Sequence, residues 1–159
     1  MSSKPLLPLG EARAIPSRGL TQETCERWGY TIGFDPYLQE TVQIANYRDP
    51  ISGEVIAQKV RTKDKDFRFL GDTKRAGLYG RHLWRDTGRR IIITEGEIDA
   101  LTVSQVLEHR WPVVSLQNGA SAARKSLAEH LDWLNGFEQI VLCFDQDEAG
   151  RKAVQSCAT

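Results

Sequence analysis

The chain has 159 residues, 40% apolar and 26% charged, a composition that fits one globular domain or two small ones and excludes a disordered tail. Its longest apolar runs, such as Ile91-Ile92-Ile93, fall far short of the roughly 20 residues a membrane span requires, and the opening MSSKPLLPLG lacks the apolar stretch of a secretory signal. Formal net charge is zero, yet residues 1–90 hold 16 basic and 11 acidic side chains, residues 91–159 hold 5 and 10, and Lys59 to Arg90 alone hold 11 against 4.

Pro5, Pro8 and Pro16 crowd residues 1–17, which read as an extended lead-in. Thr21 is placed to cap a short helix over Gln22 to Trp28, ended by Gly29. Residues 18–89 then read as a small, basic, β-rich subdomain. A strand through Val42, Ile44 and Tyr47 meets the turn DPISGE and returns over Val55 to Val60 as a hairpin. Lys63 to Lys65 form a second charged turn, followed by a strand over Phe67 to Leu70. From residue 90 the rhythm changes to strand–helix units. RIIIT (Arg90 to Thr94) reads as a strand buried on both faces, and Ile98 to His109 as a helix through Ile98, Leu101, Val106 and Leu107. PVVSL (Pro112 to Leu116) is a second strand, Ser121 to Leu134 one helix striped by Ala123, Leu127, Leu131 and Leu134, QIVLCF (Gln139 to Phe144) a third strand, and Ala149 to Cys157 a third helix. This order predicts a parallel sheet with right-handed crossovers. The fold class expected is therefore α/β, a parallel sheet flanked by helices over 90–159, preceded by the α+β subdomain. Cys25, Cys143 and Cys157 are odd in number and widely spaced, which predicts reduced thiols in a cytosolic protein rather than disulfides or a cysteine zinc site.

The informative residues follow the strands. Glu95 comes directly after the first parallel strand, in TEGEID, and Asp145 and Asp147 directly after the third, in FDQDE. Open parallel sheets place ligands at the carboxyl ends of their strands, so the spacing brings several carboxylates to one crevice. Asp145 and Asp147 are two apart on an extended segment and project to one side. Their mutual repulsion calls for a cation, and hard oxygen donors of this kind suit Mg²⁺ or Mn²⁺. A DxD alone at a strand end is more often only a helix N-cap. The Glu-Gly turn after a different strand of the same sheet shifts the balance to metal binding. Asp99 is either a supporting group or an exposed carboxylate of the first helical turn.

QKVRTKDKDFRF places Lys59, Arg61, Lys63, Lys65 and Arg68 across a strand and its turn. Lys59 and Arg61 share a face, and Lys63 and Lys65 continue the alternation if the strand persists. Such a row suits triphosphate or nucleic-acid phosphates. Tyr47, Phe67 and Phe69 are read as core residues in preference to base-stacking ones. His82, His109 and His130 carry no pairing that points to catalysis.

TEGEIDALT, PVVSLQNGASAARK and FEQIVLCFDQDEAGRKAV together resemble the Toprim domain shared by bacterial and phage primases, type IA and II topoisomerases and some nucleases. RGLTQETCERWGY, the hairpin ending in QKVRTKDKDF, and LYGRHLW narrow the resemblance to the RNA polymerase domain of short-tailed-phage primase–helicases, with the mitochondrial Twinkle helicase more distant. It spans roughly residues 15 to 157. The resemblance implies a DNA primase, a nucleotidyltransferase that makes RNA primers for DNA replication. It implies Glu95, Asp145 and Asp147 as catalytic holders of Mg²⁺ or Mn²⁺, with Asp99 in support. It implies Lys59 and Lys65 at nucleotide or triphosphate contacts, with Arg61 and Lys63 as neighbours facing nucleotide or template, and Gly119-Ala120-Ser121 as a loop near the site. Single-stranded DNA template and ribonucleoside triphosphates are the implied partners, with a helicase and a separate zinc-binding module, in the cytoplasm of a bacterial host or phage-infected cell. Relatives carry an N-terminal zinc domain, a further Toprim strand with another acidic residue, and a helicase. None of these is found here and there is no GxxxxGK[ST] motif, so the Toprim domain is expected to be C-terminally incomplete and the chain to lack helicase activity. The rivals are a non-catalytic single-stranded-DNA or replisome-binding module derived from a primase, and a Toprim nuclease.

Overall fold

The structure, a computed structural model, describes residues 4–158. They divide into two compact units, one ending at Ala76 and the other beginning at Gly77.

In the first unit, an extended segment leads through a 3-10 turn (Pro16–Arg18) into α1 (Gln22–Trp28). There the Thr21 hydroxyl accepts the Thr24 N–H at 3.1 Å, and Gly29 closes the helix at φ 66°. The strands β1 (Tyr30–Asp35), β2 (Glu40–Arg48), β3 (Val55–Arg61) and β4 (Phe67–Gly71) form one antiparallel sheet in that order, followed by the short α2 (Thr73–Ala76). The hairpins expected from the sequence are present, and β1 is an addition to them. Its run YTIGFD is short and broken by Gly33, where any Cβ would press within 3.0 Å of Ile44 Cδ1.

One face of this sheet carries Val42, Ile44, Val60 and Leu70, with Leu7 packed against them. The lead-in covers that face. Leu7 donates to Gln58 Oε1 (2.7 Å), and Gln58 Nε2 donates back to Leu7 O (3.0 Å) and to Asn46 Oδ1 (2.9 Å). Asn46 Nδ2 donates to Gly29 O (2.9 Å) and Thr31 Oγ1 (3.0 Å), while Glu11 bridges Ile32. Buried amides are satisfied by this mesh, so an apparently idle segment is structural.

In the second unit, β5 (Gly88–Thr94), α3 (Glu97–Val106), β6 (Val113–Ser115), α4 (Ala123–Glu129), α5 (Leu131–Leu134), β7 (Phe137–Cys143) and α6 (Glu148–Ala158) follow in turn. The sheet is parallel in the order β6-β5-β7, with Thr94 level with Ser115 on one side and Cys143 on the other. All three carboxyl ends therefore lie side by side. Ile91, Ile93, Val114, Leu116, Leu134 and Phe137 build the core.

Three local expectations differ. The division falls before residue 90 because Leu78 joins the second core, Tyr79 and Ser115 exchange backbone bonds at 3.0 and 3.1 Å, and Trp84 Nε1 donates to Val113 O at 2.7 Å. The helix over 121–134 is broken. A 3-10 turn (Ala120–Ala122) precedes α4, and His130 separates α4 from α5. The break exposes Leu131 and turns Trp133 inward, 5.3 Å from Phe137 and donating to Asp86 Oδ1 at 3.0 Å. The helix after β5 stops at Val106, which is 73% exposed, because Glu108 and His109 take left-handed backbone and the His109 N–H returns to Ser104 O. Replacing Asn46 with Ala should lower the urea midpoint by an amount equivalent to roughly 2 kcal/mol, the cost of leaving buried amides unpaired, and should speed hydrogen exchange at the Leu7 amide.

Candidate functional site

The parallel register sets the second unit's site. Glu95 follows β5 and Asp145 follows Phe144 at the end of β7, so the two meet across neighbouring strands. The Asp145 N–H donates to Glu95 Oε1 at 2.9 Å. Gly150, on the first turn of α6, closes over them. A Cβ there would lie 2.0 Å from Asp145 O and 2.8 Å from Glu95 Oε1, so only glycine permits the approach. Asp147 stands just before α6 and accepts the Gly150 N–H at 2.7 Å, the geometry of an N-cap. Asp99 projects from the first turn of α3 back towards Gly96, whose Cβ would stand 3.3 Å from Asp99 Oδ2.

Glu95 is half-buried, and burial is the main cause that raises its pKa above the usual glutamate range; the carboxylates of Asp145 and Asp147 add to it, against the Asp145 N–H. The structure thus brings Glu95, Asp145 and Asp147 within electrostatic reach of one another. Among the described residues no three His, Cys, Asp or Glu side chains are already spaced to hold a metal ion. One oxygen each of Glu95 and Asp147 is committed to a backbone N–H. The donor set is one of hard oxygens whose mutual repulsion these backbone N–H groups offset only in part. The loop Gly119-Ala120-Ser121 follows β6 and enters the 3-10 turn with Gly119 at φ 70°.

The first unit carries the basic face. Register places Ile32, Gln43, Arg61 and Phe67 in one row across all four strands, and Tyr30, Ala45, Lys59 and Phe69 in the next, on the face opposite Leu7. Lys59 and Arg61 share it, as the spacing requires. Lys63 and Lys65 do not continue the alternation, because β3 ends at Arg61. They sit on a turn closed by Thr62 N–H to Asp66 O and Lys65 N–H to Thr62 O, both 3.0 Å, with Lys65 at φ 67°. A cavity of about 340 Å³ opens beside the turn, lined by Arg18, Ile32, Gln43, Arg61, Lys63 and Lys65 among others. Arg18 escaped the sequence reading because a lone arginine in a proline-rich lead-in has no periodic signal. Arg68 leaves the group. It lies on the opposite face, paired with the buried Asp35 and above the Tyr37 ring. Of the three aromatic residues read as core, Tyr47 is buried, Phe69 is half-buried against it at 5.5 Å, and Phe67 is exposed.

Because Glu95 binds a proton more readily folded than unfolded, stability falls as pH rises from the ordinary glutamate value through the raised one, and the penalty is complete above it. In a chelating buffer, Glu95→Gln should therefore raise the thermal midpoint at pH 7.5 and change it little near pH 4. A gain independent of pH would mean that the crowded charge is not the cause.

Residues 10–71 match the family described as Bacteriophage T7 DNA helicase/primase, N-terminal a+b fold, and residues 92–159 match the Toprim-like family. The chain is 45% identical over 149 residues to the DNA helicase/primase of Enterobacteria phage T3, covering 94% of this chain and 26% of that protein, so it spans about a quarter of that relative's length. It superposes on the primase fragment of the bacteriophage T7 primase-helicase with a TM-score of 0.91 at 44% identity, over 98% of this chain and 65% of that one. A second T7 structure, of lagging-strand DNA polymerase interacting with primase domains bound to an RNA/DNA hybrid and dTTP, matches with a TM-score of 0.87 at 47% identity, over 94% of this chain and 74% of the other. With both units matched in order and the carboxylates standing at the ends of a Toprim sheet, this chain belongs to the Toprim primase family of the bacteriophage T7 helicase/primase type.

Proposed function

We propose that the chain is the catalytic core of a DNA primase, joining ribonucleotides on a single-stranded DNA template. The observation that carries the reading is the meeting of Glu95 and Asp145 across the ends of β5 and β7, with Asp147 close by. In the reaction the 3′-hydroxyl oxygen of one ribonucleotide bonds to the α-phosphorus of the next as the bond to pyrophosphate breaks. The Toprim primases generally use a divalent metal, and the hard carboxylate oxygens and their repulsion fit one. We assign Glu95, Asp145 and Asp147 as its holders, with Asp99 in support and Mg²⁺ or Mn²⁺ as the ion. When bound, such an ion lowers the hydroxyl's pKa and offsets charge on the attacking and leaving oxygens. The second reading of Glu95 is that it accepts the hydroxyl proton as general base in place of holding the ion.

Lys59, Arg61, Lys63 and Lys65, joined by Arg18, hold triphosphate or strand phosphates by charge. The basic subdomain and the Toprim domain serve one reaction on this reading. A helicase and a zinc-binding module that selects the priming site are the further partners on this reading, in the cytoplasm of a bacterial host or phage-infected cell.

Three measurements test it. With Mg²⁺ or Mn²⁺, labelled ATP and CTP and a single-stranded template, the chain should make short oligoribonucleotides, and Asp145→Ala should abolish them. DNA binding without product in either protein would favour a binding module, and fragmentation of end-labelled DNA a nuclease. Millimolar Mg²⁺ should raise the thermal midpoint of the native chain and leave that of a Glu95→Gln/Asp145→Asn double variant unmoved, a readout independent of turnover. Replacing Lys59 and Lys65 with Ala should flatten the slope of log affinity against log salt by about 1 to 2 for single-stranded DNA. An unchanged slope would place the phosphate contacts elsewhere.

A further inference from the structure

The outer end of the basic face carries an aromatic ring that the core does not use. Phe67, on β4, is 59% exposed and sits directly opposite Arg61 of β3. Lys59 Nζ stands 4.8 Å from the centre of its ring and Arg61 Cζ 5.7 Å. A single exposed phenylalanine is ordinary on any protein. This one is distinguished by its setting: two cations over the ring, a cavity of about 340 Å³ sharing Arg61 as a wall, and a second ring on the same face of the sheet. That second ring is Phe34 of β1, 55% exposed, two residues beyond Ile32 and hence on the same face. Ile32 and Phe67 close opposite ends of one cross-strand row, three strand spacings or about 14 Å apart, with Gln43 and Arg61 between them.

We propose that Phe67 is a stacking platform for a base of single-stranded DNA, with Lys59 and Arg61 holding the phosphates on either side of that nucleotide. The proposal deepens the primase reading and takes from it only the identity of the strand. A polyanion whose monomers each carry a planar ring matches a surface on which cations and an exposed ring lie within about 6 Å. A protein partner would match the ring and leave the density of positive charge unexplained. On approach the base covers the open area of the ring, and the ammonium and guanidinium shift to the flanking phosphates.

The test is binding of a fluorescent single-stranded oligodeoxynucleotide to the full chain at several salt concentrations. Phe67→Ala should weaken binding about 5- to 150-fold, the effect of one stacked base, without changing the salt slope. Phe67→Trp should restore affinity, whereas Phe67→Leu, apolar but without a π face, should not. On an oligonucleotide of abasic sugar-phosphates, the native chain and Phe67→Ala should bind alike. Equal binding by Leu and Phe, a salt slope that changes with Phe67→Ala, or a Phe67→Ala penalty that persists on the abasic strand would each overturn the proposal. Thermal midpoints of the variants within a degree or two of the native chain separate lost stacking from lost folding. Failure of the primase reading is read elsewhere, in primer synthesis: a chain that makes no primers yet loses DNA on Phe67→Ala sinks that reading alone, and a chain that makes primers while Phe67→Ala binds normally sinks only this one.

Discussion

The hydrogen bond from the Asp145 amide to the Glu95 carboxylate joins two strand ends that are 50 residues apart in sequence. It exists because β5 and β7 are parallel neighbours whose last residues, Thr94 and Cys143, are level. A slip of one residue would turn every apolar side chain of β7 over and separate the two acids. The same contact sets the electrostatics. A carboxylate drawn from water towards two others is held in its charged form at a cost, and the backbone N–H offsets only part of it. Catalytic carboxylates are commonly placed in such crowded, partly dry positions.

Much of this architecture is legible in the sequence, for identifiable reasons. RIIIT, PVVSL and QIVLCF are short β-branched runs separated by helical stretches, and that alternation leaves few topologies. The acids that follow the first and last of those strands inherit their position from the strand order. The capped helix at Thr21 and the DPISGE turn are local chemistry and need no tertiary information. The missed features depend on partners far away in sequence. β1 is defined by pairing to β2 and Glu11, not by its own pattern, and the break at His130 arises because Trp133 reaches Phe137 and Asp86. Arg68 looks equivalent to Lys59 and Arg61 in one dimension, and only the pleat and Asp35 take it to the other face. The dual character of Asp147, helix cap and member of an acidic group, is likewise decided by α6 and not by the DxD spacing.

The first unit divides its sheet by chemistry. One face is sealed by the lead-in through paired amide bonds to Gln58 and Asn46, so its apolar residues lie inside. The other face is left to lysine, arginine and phenylalanine at its outer end. The first face needs a cover that spans several strands, and twelve or so residues of extended chain provide it, while on the second face Tyr30, Ala45, Tyr47 and Ala57 are buried and only the outer end is charged.

The turn after β3 carries a lasting conflict. Lys65 holds a left-handed backbone that suits glycine or asparagine better, at a cost on the order of 1 kcal/mol. Libraries selected for heat resistance should drift towards those residues at this position. Consensus-style stabilisation of the domain would thus take a cation out of the cavity wall at the very position where the backbone gained rigidity.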